Sequence, residues 1–371
     1  MIYWITSGFL LIGALFEVFK SKWGEVALSG RSHKIILVAI IVYLILMAGL
    51  RYECGLDYIG YEGNYYALRS GIKPVINDSI ELGFSIWARI MPTFRIFLIT
   101  VAMFNVIGKA KFFVSVDARF LFTSLFFYFT TFFITYDMGL IRQGMAVAIC
   151  IHSIKYIEKK SWKFFVMIGI ACFFHLSALF FMPMFFIGSK EYSWRTYAAV
   201  LIGCFLLSFF ASSANTVPDF MVNLTSFIGA KVTWYQNRSF TAATSLIRRE
   251  VFAFFFLFLY KRTGIRLGGL FFQKRRSDPK IWLCVNAYIL SIVELILPSL
   301  FGLGDIGTRG SVYAYIMYIP LYVYILKDTG FKFMNYIYFI AFVILSFGTM
   351  YFGMIYGSGN LLPYRSVFST G

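Results

Sequence analysis

KIILVAIIVYLILMAGL, residues 34–50, runs directly into RYECGLDYIGYEGNYY, residues 51–66. After Lys34 the first stretch carries no charge, and its length approaches the roughly 20 apolar residues that span a hydrocarbon core. The second stretch holds one Arg, three carboxylates and five Tyr, with almost no aliphatic bulk. A connection that only had to return the chain to the bilayer would be shorter and blander. The pair therefore predicts a spanning helix that opens onto a site facing the outer side of a membrane.

Composition extends that reading to the whole chain. Of 371 residues, 60% are hydrophobic, 21% aromatic and only 14% charged; soluble domains carry about 25% charged residues. Apolar runs fall near 2–19, 35–50, 83–108, 120–136, 140–157, 163–187, 196–213, 247–260, 281–300, 311–326 and 333–356. The expected fold is an all-α polytopic integral membrane protein with about 11 transmembrane segments, within a range of roughly 10–12. It is expected as a single transmembrane helical domain over 1–371 with no separate soluble domain, its main outer loops lying near 51–80, 214–247 and 301–310. The start, MIYWITSGFLLIGALFEVFK, has no basic n-region and no small-residue cleavage site, so it reads as a retained first helix.

Cysteines 54, 150, 172, 204 and 284 are scattered and form no CxxC or Cys/His cluster, so neither a disulfide frame nor a metal site is indicated. The net charge of +17 would suggest nucleic acid in a soluble protein. Here it is divided among short connections between helices, which points instead to topology and anion binding.

Lys and Arg in short loops mark the cytoplasmic side. The groups Lys20/Lys22/Arg31/Lys34, Lys109/Lys111/Arg119, Lys155/Lys159/Lys160/Lys163, Lys261 through Lys280, and Lys327/Lys332 are placed inside. The stretch after residue 50, the turn Tyr136 to Gly139, the 214–247 and 301–310 loops and the tail then lie outside. Between Lys163 and Lys261 three runs stand where an even number of crossings is needed. WKFFVMIGIACFFHLSALFFMPMFFIG, 162–188, is the expected half-helix, breaking near His175 and returning as a hairpin with Pro183 in its second arm; a re-entrant piece inside 214–247 is the alternative.

Lysine concentrates inside, whereas Arg51, Arg69, Arg142, Arg195, Arg238, Arg248, Arg249, Arg309 and Arg365 fall in or beside the outer segments. Lysine alone would serve topology. Guanidinium forks suit bidentate binding of phosphate or carboxylate, so an outer face rich in Arg points to an anionic ligand. Arg142 and Gln143 open an otherwise apolar helix in IRQGMAVAI, where a charge facing lipid costs a few kcal/mol and so should face a cavity. His175, in ACFFHLSALFF, is embedded in apolar sequence and can accept a proton near neutrality. Glu53 and Asp57 would share a face if helical, but Gly55 and the Tyr-rich surroundings favour a loop. Tyr58, Tyr61, Tyr65 and Tyr66 offer planes for stacking on sugar rings. Asp305 and Arg309 sit in a Gly-rich stretch that leads into a helix start, a possible anion cradle.

Taken in order, Arg51, Gly55, Asp57, Tyr58 and Tyr61, then Arg142 and Gln143, then Ala171, His175, Ser177 and Ala178, then Arg309 with Tyr313 and the terminal LPYRS at 362–366, resemble the EpsG-like branch of the Wzy-type polysaccharide polymerases. That resemblance implies a GT-C-like membrane glycosyltransferase of the bacterial inner membrane, of the kind that builds O-antigen or capsule. It would polymerise undecaprenyl-pyrophosphate-linked repeat units on the outer face by metal-independent inverting transfer, with no cofactor and no nucleic acid. The partners implied are lipid-linked glycan donor and acceptor, with a chain-length regulator protein beside them. On this reading Arg51, Arg142 and Arg309 bind the donor pyrophosphate, joined by Arg248 or Arg249. Gln143, Tyr58 and Tyr313 line the substrate site, and His175 or Asp57 is the base. A ligase with the same donor pocket and a flippase with a midplane site are the competing readings.

Overall fold

The computed structural model describes residues 1–19, 31–71, 80–211, 249, 279–328, 332–356 and 361–368. The 214–247 loop, Arg238, Arg248 and most of the 261–280 basic cluster lie outside the described residues. Among the described residues the chain is helical throughout, apart from one isolated antiparallel bridge between Arg51 and Ser366. Ile2–Phe19, Phe94–Gly139 and Pro279–Ser299 are long and apolar enough to cross a membrane. Shorter apolar helices cover Lys34–Gly49, Lys163–Cys172, Leu176–Ile187, Trp194–Phe210 and Phe339–Ile355. This is a polytopic membrane protein.

The first helix shows the polarity expected of one. Ile5, Phe9, Ile12 and Phe16 recur at spacings of three and four and are exposed, while Thr6, Ser7 and Glu17 on the other face are buried. In water that arrangement is inverted; against lipid the apolar stripe is the outer surface. The Glu17 carboxylate accepts from the Phe122 and Thr123 amides at 2.8 and 2.7 Å and from the Thr123 hydroxyl at 2.7 Å. It thereby caps the start of the Leu121–Tyr128 helix, where free N–H groups and the helix dipole both favour an anion.

The chain divides into two compact units, Met1–His152 with Ile170–Leu176 and Phe333–Gly371, and Ser153–Gly169 with Ser177–Lys332. In the first, the 46-residue apolar stretch Phe94–Gly139 is too long for one crossing and is interrupted at Ala118–Phe120. Its second half runs back along its first, since Phe113 meets Tyr128 with ring centroids 5.8 Å apart. That second half ends in an eleven-residue π-helix, Phe129–Gly139. Asp137, near its end, is fully buried and bonds the Lys109 ammonium and the Tyr128 hydroxyl.

Lys109 therefore does not mark the inner surface as the sequence reading had it. It lies on the same helix face as Asn105, Val106 and Phe113, all buried, whereas Lys111 is exposed.

The stretch expected as an irregular outer loop also contains a helix, Tyr58–Arg69. Tyr58, Tyr61, Tyr65 and Leu68 repeat at helical spacing and pack against Phe84, Phe94, Phe97 and Ile141. Burial of four large side chains on one face outweighs the helix-weakening Gly60 and Gly63.

In the second unit, the Pro279–Ser299 helix lies against Gly304–Tyr315. A side chain at Gly307 would stand 2.6 Å from the Leu295 carbonyl and 3.0 Å from that of Glu294, so only glycine permits the approach. The segment 301–310, expected as a loop, is helical from Gly304. The turn before it uses Gly302 in the left-handed region, at φ 72°. Tyr197 donates to Asn286 at 2.7 Å and stacks on Trp282, tying the Trp194–Ala211 helix to Pro279–Ser299.

The 162–188 stretch breaks at the expected place. Lys163–Cys172 ends before His175, a 3₁₀ turn covers Leu176–Phe181, and Phe165 packs on Phe185 with centroids 4.6 Å apart, so the two arms fold together as a hairpin.

Candidate active site

The end of the Arg31–Gly49 helix should leave its last carbonyls without partners. Here every one from Met47 to Arg51 is taken, all but Ala48 by a group from elsewhere in the chain. The Tyr364 hydroxyl donates to Met47 at 2.9 Å, and Arg51 turns its own Nη1 back onto Ala48. Arg95 Nη1 donates to Gly49 at 3.5 Å and to Arg51 at 2.6 Å, and the Val367 amide donates to Leu50 at 3.1 Å. With Tyr52 N donating to the Arg365 carbonyl at 3.0 Å, the terminal LPYRS segment forms a short antiparallel strap over the opening stretch. Tyr3 meets Tyr364 edge-on at 6.0 Å, and Cys54 reaches the Leu361 carbonyl at 3.8 Å. Burial pushes the Tyr364 phenol up to about 12.

The strap fixes the backbone of Arg51, whose side chain is 1% exposed. Its Nη1 is used, but Nε and Nη2 are buried without a hydrogen-bond partner. A buried guanidinium with open donors is costly unless an acceptor arrives to meet them. The guanidinium carbon lies 5.8 Å from the centre of the Tyr58 ring.

One helical turn on, the Tyr61 ring lies 5.9 Å from the guanidinium of Arg142, which is also 5.7 Å from the centre of the Phe84 ring, the two rings being 5.7 Å from each other. Arg142 Nη1 donates to Glu81 at 2.6 Å, and both side chains are largely buried. Arg51 and Arg142 thus approach successive tyrosines of a single helix. Asp57 stands at that helix's start, partly exposed and making no side-chain cap. Gln143 is buried beside Arg142, and His175 is buried at the helix break. The Arg142 side of this cluster borders an apolar groove of about 540 Å³, lined by Gly83, Ile86, Trp87, Ile90, Met91, Ile170, Phe173 and Phe174.

The second unit holds the remaining expected residues. Arg309 Nε lies 3.4 Å from Asp305 Oδ2 one turn earlier in the Gly304–Tyr315 helix. The buried Tyr313 shares a hydrogen bond of 3.0 Å with Ser177. Arg249, 3% exposed, donates to the Ser291 carbonyl at 2.9 Å and lies 4.2 Å from the centre of the Tyr315 ring.

Reading the sequence missed Glu81, Arg95 and the strap as partners of these arginines. The signal for Glu81 was available, because an Arg at the head of an apolar helix calls for a counter-charge and Glu81 directly precedes another apolar run. Nothing local marks Arg95, whose role depends on where its helix lies in space.

A sequence model of the EpsG family matches residues 34–366. No curated protein and no solved structure matches. The match begins in the Arg31–Gly49 helix that leads to Arg51 and closes at Ser366, the residue bridged to Arg51; the chain belongs to the EpsG family.

Proposed function

We propose that this membrane protein joins oligosaccharide repeat units carried on undecaprenyl pyrophosphate, by inverting glycosyl transfer on the outer face of a bacterial cytoplasmic membrane. Membership of the EpsG family supports a glycosyltransferase-type polysaccharide polymerase. The observation that carries the reading is Arg51, whose buried guanidinium keeps two nitrogens open to an acceptor.

The chemistry asks for such a group. Breaking the bond between sugar and pyrophosphate builds negative charge on the leaving group, and pre-aimed guanidinium donors favour that transition state over the ground state. Arg51 supplies open donors. Arg142, held by Glu81 and two rings, supplies a fixed charge beside them. Tyr58 and Tyr61, buried in the core, back the two guanidinium groups, and the apolar groove, lined by Gly83 next to Phe84 in the chain, suits the isoprenoid chain of the carrier. A single inverting displacement needs one base, for which Asp57 and His175 are the groups expected from the sequence.

The test is reconstitution in detergent with the lipid-linked repeat unit that accumulates in cells lacking this gene. A ladder of products spaced by one repeat, lost with Arg51→Ala while the protein stays in the membrane, supports the proposal. Transport of the same lipid across a proteoliposome bilayer, with no ladder, would make the protein a transporter. Transfer of a single finished glycan would make it a ligase.

A further inference from the structure

Three guanidinium groups stand beside successive tyrosines of the Tyr58–Arg69 helix. Arg51 lies by Tyr58 and Arg142 by Tyr61, and the guanidinium carbon of Arg69 lies 5.7 Å from the centre of the Tyr65 ring. The third differs from Arg142 in its charge balance and in its neighbours. Glu81 neutralises Arg142, whereas Arg69 pairs with no carboxylate among the described residues. Arg142 meets Phe84, which does not line the apolar groove, whereas Arg69 holds the groove's own wall. Its Nη1 donates to the carbonyl of Met91, which also accepts from the Tyr65 hydroxyl at 2.8 Å, and to the Arg89 carbonyl at 3.3 Å. Nε and Nη2 of Arg69 have no partner among the described residues, and the residue is exposed. Arg89 is exposed too and adds a second positive charge next to Ile90, another wall residue. Ile86, Ile90, Ile170 and Phe173 are themselves exposed, so the groove opens at the surface. An apolar groove that ends at unneutralised arginines is complementary to a lipid with a phosphate head group, because guanidinium forks match phosphate oxygens and the walls accept the chain.

We propose that Arg69 and Arg89 hold the pyrophosphate of the acceptor unit, with its isoprenoid chain in the groove. The inference rests on the glycosyl-transfer reading above. Joining two lipid-linked units brings two pyrophosphates together, and their fates differ. The donor's loses its bond to the sugar and gains charge, which calls for preformed buried donors such as those of Arg51. The acceptor's keeps its bond and its charge throughout, so it needs only to be held. The attacking hydroxyl of the acceptor lies at the far end of the repeat unit from that pyrophosphate, so the two seats must stand apart. Tyr58 and Tyr65 are two turns apart on their helix, about 10 Å along its axis. One pyrophosphate cannot reach both, and a short sugar chain can.

The experiment compares the purified wild-type chain in detergent with two altered forms. Arg69→Gln with Arg89→Gln removes both charges. Ile90→Glu leaves both arginines and their bonds in place and sets a carboxylate at the mouth of the groove. In the ladder reaction each form is expected to raise KM for the lipid-linked unit roughly tenfold or more, with turnover at saturation little changed, as the loss of uniform binding requires. The number of undecaprenyl pyrophosphate molecules retained per chain should fall by one in each form. Inorganic pyrophosphate and undecaprenol, which offer head or tail alone, should compete poorly. An unchanged KM and binding count in both forms overturns the assignment, and so does lost turnover at unchanged KM, which would put these arginines at the donor. Displacement of undecaprenyl pyrophosphate by an equal amount of phosphatidylglycerol overturns it as well, since that marks a seat for ordinary membrane lipid. A wild type that makes no ladder removes the glycosyl-transfer reading itself and the acceptor role with it.

Discussion

Arg51 and Ser366 lie side by side in an antiparallel bridge, so the 361–368 segment sets the backbone of an arginine more than 300 residues earlier in the chain. Two ladder bonds, Tyr52 to Arg365 and Val367 to Leu50, and the Tyr364 bond to Met47 hold the contact. Each contributes about 1 kcal/mol.

Removing the chain after residue 360 should therefore lower polymer formation by roughly tenfold or more while the protein still inserts, since the strap lies outside the spanning helices. Val367→Pro, which deletes the one amide that reaches Leu50, should reproduce part of that loss. Product ladders from membranes of equal protein content decide it. Full activity after truncation would mean that Arg51 does not need the strap.

Arg142 and Glu81 form a buried ion pair, and removing one partner of such a pair leaves an uncompensated charge costing about 3–5 kcal/mol. Glu81→Gln should therefore lower thermal stability in detergent, and Arg142→Ala should do so together with a 100- to 1000-fold loss of turnover, roughly the cost of removing one transition-state donor. Arg142→Lys should not rescue, because an ammonium lacks the planar fork of donors that Arg142 presents beside Tyr61 and Phe84. Stability that falls with unchanged turnover in all three would reduce Arg142 to a structural post.

The helical apolar runs were legible from hydropathy because lipid leaves so little choice of structure, and the break at His175 followed from counting crossings. The Tyr58–Arg69 helix was not legible, because Gly55 and the Tyr-rich surroundings read locally as a loop and only packing on Phe84 and Phe97 reverses that. Lys109 misled for a related reason. Its position beside Lys111 in sequence hides that the two face opposite ways, one toward Asp137 and the other outward. The arginines of the site were identifiable by type, but their counter-charges Glu81 and Asp305 depend on which helices meet, or on which turn forms.

Lys109 and Asp137 are both fully buried, and the pair is expected to be essential to folding and neutral to orientation. Lys109→Met alone should destabilise by about 3–5 kcal/mol, whereas Lys109→Met with Asp137→Asn should recover much of that loss because no charge is left unpaired. Gly144→Ala should mimic the single variant, since its new carbon would stand 2.7 Å from Asp137 Oδ1 and 2.8 Å from Asn105 Nδ2. Thermal unfolding in detergent measures all three. Reporter fusions after Arg119 should report the cytoplasm in each, because Lys111 and Arg119 still supply the inside charge.

Arg309 and Asp305 are set one turn apart at 3.4 Å, with side chains only 16% and 14% exposed. If Arg309 serves an anionic substrate, Asp305 competes for the same guanidinium until that substrate arrives. Asp305→Asn keeps a polar group in the first helical turn while freeing Arg309, so KM for the lipid-linked unit should fall several-fold. Arg309→Ala should move KM the other way and shorten the product ladder. The opposite signs are the discriminating feature, since a pair that only stiffens the Gly304–Tyr315 helix would lose activity in the same direction whichever partner is removed.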